Sequence, residues 1–150
     1  MKFTSCAFVL IGILGITPVC HAEKSTDTTS IEAVKRETRD LLQTLDAYTA
    51  DRKDEAIRKT KTALDNLDER IEALEDRVDE SWDKMDKAAR ENARESLKAL
   101  REQRNRVAEW YGSLKSSTID SWEHMKKGFS KAYKALDDAW EKSEKEVAPK

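Results

Sequence analysis

From Asp54 onward, Ile57, Leu64, Ile71, Val78 and Met85 recur every seven residues, with Thr60, Leu67 and Leu74 in the complementary positions. That spacing is the seam of a coiled coil, because an α-helix returns the first and fourth residues of each heptad to one side. Past Leu74 the steps are mostly fours, through Val78, Trp82, Met85, Ala89, Ala93, Leu97 and Leu100. Such a drift towards an eleven-residue period unwinds the supercoil locally. With no Gly or Pro before Gly112 to interrupt it, the pattern predicts one helix over about 54–111, roughly 85 Å long if unbroken.

Two shorter helices flank it. Thr29 followed by Glu32 has capping-box spacing, and Val34, Leu41, Leu45 and Tyr48 share one face of a helix expected over about 30–50. Gly112 and the Ser116-Ser117-Thr118 cluster mark a turn. A last helix, expected over about 118–147, presents Trp122, Met125, Phe129, Tyr133, Leu136 and Trp140. A short connection folds it back antiparallel, with Leu97 and Leu100 meeting Phe129 and Tyr133. The fold class is therefore all-α, an elongated helical hairpin or a three-helix coiled-coil bundle over 30–147.

The N-terminus reads as an export signal. Lys2 precedes an apolar run from Phe3 to Val19, and Cys20-His21-Ala22 then offers small residues where a signal peptidase inspects them. Cleavage is expected after Ala22, delivering a periplasmic or secreted protein with a polar leader over 23–29. The apolar run is about 17 residues, at the short end for an uncleaved anchor, which is the alternative. Both cysteines, Cys6 and Cys20, fall within the signal. The processed chain then has no disulfide, and helix packing or oligomerisation must stabilise it.

Charge excludes some functions. The chain is 39% charged yet its net charge is only −2, which disfavours nucleic acid, since neutralising phosphates needs a basic excess. The charges are nonetheless blocked. Residues 65–86 hold ten acids and three bases, whereas 87–106 hold seven bases and three acids. Blocks of this kind steer partners or set the register of self-association, or simply solvate a helix. Glu72, Glu75, Asp76, Asp79 and Glu80 cluster in helical projection, but a straight helix turns carboxylates outward instead of wrapping an ion. Beyond the signal the one histidine is His124, with no cysteine or second histidine to work with. No nucleophile, base and oxyanion constellation can be assembled, so no enzyme, cofactor, metal or small-molecule substrate is expected.

What remains are surfaces: the seam of Ile57, Leu64, Leu67, Ile71, Leu74, Val78 and Met85, and the aromatics Trp110, Tyr111, Trp122, Phe129, Tyr133 and Trp140. Aromatics at helical spacing are core residues, or they anchor a helical tip in a lipid interface or grip an unfolded chain.

The run Leu97-Lys-Ala-Leu-Arg-Glu-Gln-Arg-Asn-Arg-Val107, with Trp122, Gly128 and Ala132 after the turn, resembles a family of small bacterial coiled-coil proteins first described as cyanobacterial stress-response proteins. The likeness covers about residues 60–147. Thr118 stands where that family has Ser, and Tyr133 replaces its second aromatic. The export signal and the first helix are additions to the family pattern. The resemblance implies a stress-associated protein without enzymatic activity. The expectation is thus an exported, non-enzymatic protein, stress-associated or structural in the envelope, acting on a protein partner or on itself. The alternatives are a holdase-like periplasmic chaperone using exposed apolar stripes and an amphipathic lipid-surface binder.

Overall fold

The computed structural model describes residues 30–147. The expected export signal, the expected leader over 23–29 and the Thr29 expected as a cap lie outside the described residues. Within them the chain is 91% helical, in four helices: α1 (Ile31–Asp46), α2 (Lys53–Ser81), α3 (Lys87–Ser116) and α4 (Trp122–Val147). Single 3₁₀ turns at Ala50–Arg52 and Trp82–Lys84 precede α2 and follow it.

The helix expected over 54–111 is two helices, and the reason lies in five residues. Met85 adopts an extended ψ of 140°, and Asp86 becomes an N-cap whose carboxylate accepts a hydrogen bond from Ala89 N at 2.7 Å. Asp favours such caps because its short side chain competes for backbone amides. The carbonyl of Trp82, in the 3₁₀ turn after α2, accepts from Met85 N at 3.2 Å and from Arg90 Nε at 3.0 Å. Breaking here lets the chain bury its own apolar stripe, which an uninterrupted rod would leave waiting for a partner.

The other ends also shift. Ser30 is the N-cap of α1, accepting from Ala33 N at 3.3 Å. Helix α3 runs through Gly112, whose surroundings are open, and ends at Ser116, so Gly112 is not the turn. The turn lies at 117–121, where Thr118 N donates to Ser121 Oγ at 2.9 Å and Ser121 N to Thr118 Oγ1 at 3.3 Å.

Bonds between helices give their directions. Glu75 with Arg101 and Asp68 with Arg104 join α2 and α3 antiparallel. Asn92 with Glu146, and Trp110 against Gly128, do so for α3 and α4. Lys35 with Glu141 and Lys126 with Asp46 O do so for α1 and α4, and Glu37 with Arg70 for α1 and α2. The chain therefore runs up, down, up and down, with α2 and α4 parallel across the diagonal, where Arg77 reaches Glu144. Because the turn is later than expected, Leu100 lies level with the region of Leu136 rather than with Phe129.

One apolar cluster drawn from all four helices fills the centre. Trp122, Trp140, Phe129, Leu45, Leu74, Leu100, Leu114 and Leu136 are its largest fully buried members. Helices α3 and α4 approach most closely. Ala93, Ser96 and Ser143 are wholly buried, and small side chains let backbones come near.

Candidate functional site

The aromatics expected at an exposed tip are mostly interior. Trp122, Phe129, Tyr133 and Trp140 are buried, while Trp110 and Tyr111 are half-buried. The ring of Trp110 lies on Gly128, and a Cβ there would sit 2.1 Å from Trp110 Cζ3. Phe129 and Tyr133 pack with centroids 5.6 Å apart. Burial pushes the Tyr133 phenol up to about 12, so it stays neutral and acts as a core group. The seam is consumed in the same way: Leu64, Leu67, Ile71, Leu74 and Val78 are buried, whereas Ile57 and Met85 are half-buried at its ends. Ala56 is buried in place of Ile57. The one large apolar side chain found exposed among the described residues is Ile119, at 78%.

Polar clasps hold both poles of the bundle. Near Ile119, the indole of Trp122 donates to Tyr48 O at 3.0 Å. Lys126, 5% exposed, donates to the same carbonyl at 2.9 Å and to Asp46 O at 3.3 Å. These carbonyls belong to the last residue of α1 and to the segment just past it, where a cation complements the helix dipole. Lys126 also meets Glu123 at 2.9 Å, and Lys53 donates to Ser117 O, tying the start of α2 to the turn after α3. Tyr48 donates its phenol to Glu55 at 2.7 Å, and that bond, with one from Arg52, lowers the Glu55 carboxyl.

At the opposite pole, Arg77 grips both carboxylate oxygens of the buried Glu144, at 2.9 and 3.1 Å. Lys145 and Lys35 hold Glu141 between them, drawing its carboxyl down to about 2. On the α1 and α4 side, burial raises the Asp137 carboxyl, beside an open groove of about 360 Å³ shared with Thr38, Lys35 and Lys134. Another open groove, of about 430 Å³, runs past Trp82. Arg90 and Arg94 flank that ring at 5.3 and 4.4 Å from its centroid.

The two charge blocks face each other inside the molecule. Glu75 bonds Arg101 Nε at 2.6 Å and Asp68 bonds Arg104 Nε at 2.5 Å, so part of the contrast between 65–86 and 87–106 sets the register of α2 on α3. The remaining acids of α2, including Glu72 and Asp76, point to solvent. No group of three or more ligand-type side chains suited to a metal occurs among the described residues, nor any helix long and apolar enough to cross a membrane. His124 is exposed, its ring 6.5 Å from that of Trp110.

Sequence reasoning missed Lys126 and Glu144 as interior groups. Their signal was positional: Lys126 lies four after Trp122 and three before Phe129, and Glu144 lies four after Trp140 and three before Val147, on the same stripe. Compared with known family models, curated proteins and solved structures, the chain finds no match.

Proposed function

We propose that this chain is an exported, non-enzymatic helical protein of the cell envelope, stress-associated or structural in role, which works by protein contact through its helix faces. The observation that carries this reading is the division of labour between inside and outside. The apolar stripes of the four helices close on one another, while long runs of like charge occupy the outward faces of α2 and α4. Contact with partners then falls to charge and shape, which confer specificity and register more than raw affinity. The chaperone and lipid-surface alternatives both require the apolar stripes to leave the core.

The test begins with processing. Mass spectrometry of the protein recovered from the envelope fraction is expected to show a chain beginning at Glu23. Crosslinking in the intact cell is then expected to yield adducts that disappear when Asp76→Asn and Asp79→Asn are combined, with the helical circular dichroism unchanged. Retention of the whole chain in the cytoplasm, or adducts indifferent to both substitutions, would overturn the reading.

A further inference from the structure

The outward face of α2 carries Glu69, Glu72, Asp76, Asp79 and Glu80, continued by Asp83 in the following turn, all exposed. The basic residues among them do not interrupt the row, because Arg70 and Arg77 turn aside to Glu37 and Glu144. The outward face of α4 is the reverse, with Lys127, Lys131, Lys134, Lys142 and Lys145 exposed and only Asp138 of opposite sign exposed among them. Helices α2 and α4 are each flanked by α1 and α3, so the acidic and the basic face look in opposite directions. They also run parallel, and the bond between Arg77 and Glu144 puts them at one height.

A second copy displaced sideways without rotation therefore brings its α2 face onto the α4 face of the first. Taking Arg77 as level with Glu144, Glu69 falls within two residues of the height of Lys134, Asp76 within one of Lys142 and Asp79 within one of Lys145. Glu72 against Asp138 and Lys61 against Lys127 are the like-charged meetings. An acidic row alone would suit any cationic partner. A chain that carries both rows, in step and on opposite sides, is complementary to itself.

From this we infer that the partner is a second copy of the chain, docked side by side and parallel, α2 face to α4 face. Such a contact is heterologous and does not close on itself, so it propagates into rows. Held by exposed charges, it is reversible and dissolves with salt as the Debye length shrinks. The inference rests on the proposed reading only in taking helix faces as the working surface.

Sedimentation of the purified protein at about 10 mM salt is expected to show mass increasing with concentration, and the association constant falling at least about tenfold by about 0.3 M. Two variants sharpen this. Lys131→Glu with Lys134→Glu and Lys142→Glu makes both faces acidic; Glu69→Lys with Glu72→Lys, Asp76→Lys and Asp79→Lys makes both basic. Each alone is expected to remain monomeric, and a mixture of the two to associate again. Circular dichroism checks that both fold, and glutamine or asparagine at the same positions replaces any variant that does not, with loss of association as the expected result. A wild-type protein that stays monomeric at low salt, a reversed variant that still self-associates, or folded variants that ignore each other would each overturn the inference. So would wild-type protein that binds anionic vesicles through its lysine face while ignoring itself. Envelope crosslinks that survive such a failure would leave helix-face contact standing with a different partner.

Discussion

Gly128 sits within a helix, where alanine ordinarily adds about 1 kcal/mol of stability. Here the neighbouring ring reverses the sign. Because a Cβ would fall 2.1 Å from Trp110 Cζ3, Gly128→Ala is expected to lower the melting temperature and to shift tryptophan emission to the red as that ring is expelled. In a Trp110→Ala background the same change should become neutral or stabilising. Asp137 gives the opposite expectation. Its folded carboxyl is raised above the ordinary 3.8 by burial, so the ionised form destabilises the fold above that range and the penalty vanishes below 3.8. Asp137→Asn should therefore raise the melting temperature at neutral pH, with the gain disappearing in a pH series near 3. The residue scale is also where the sequence was least legible. Heptad reading located the buried Leu64, Leu67, Ile71, Leu74 and Val78, but could not see that Lys126 and Glu144 occupy stripe positions as clasps. Their partners, the carbonyls at and just past the end of α1 and the guanidinium of Arg77, are 67 to 80 residues away.

At the scale of elements, the decisive feature is the break after Ser81. No glycine or proline marks it, and the apolar period passes straight through, so periodicity alone continued the helix. What stops it is Asp86 as a cap together with Arg90 on the carbonyl of Trp82. Asp86→Ala is expected to cost about 0.5–2 kcal/mol, the ordinary worth of a side-chain cap, read from chemical denaturation. The outer edges of the seam carry less than its middle. Leu74→Ala, at a wholly buried site, should cost about 2–5 kcal/mol, whereas Ile57→Ala, half-buried, should cost clearly less. The α1 face of Val34, Leu41 and Leu45 was legible and is buried, with Tyr48 buried just past the helix end, because a short amphipathic helix needs only its own period to declare its inner side.

For the whole molecule, stability depends on acid in two opposed ways. Glu141 and Glu55 have carboxyls lowered by their hydrogen bonds. Their contribution is complete above the ordinary 4.5 and is lost as pH falls, for Glu141 towards about 2. Relief of the Asp137 penalty runs the other way. Lys35→Met is expected to reduce the acid sensitivity of the melting temperature between about pH 5 and pH 2, since it removes part of what holds Glu141 ionised. The all-α class was readable from a composition rich in charge and poor in Gly and Pro. The number of helices was not, because it depended on one break.

The alternating course of the helices brings Ser30 and Val147 out at the same pole, beside the turn that contains Trp82. A tether or reporter attached at residue 30 or 147 is thus held at that pole, and Ile119 stands at the far one, about 40 Å away along a helix of this length. Fluorophores placed at 30 and 147 should report proximity, and a pair at 30 and 119 that separation. A surface fastened to the protein at residue 30 or 147 would therefore leave Ile119, the one large apolar side chain exposed among the described residues, at the end turned away from it.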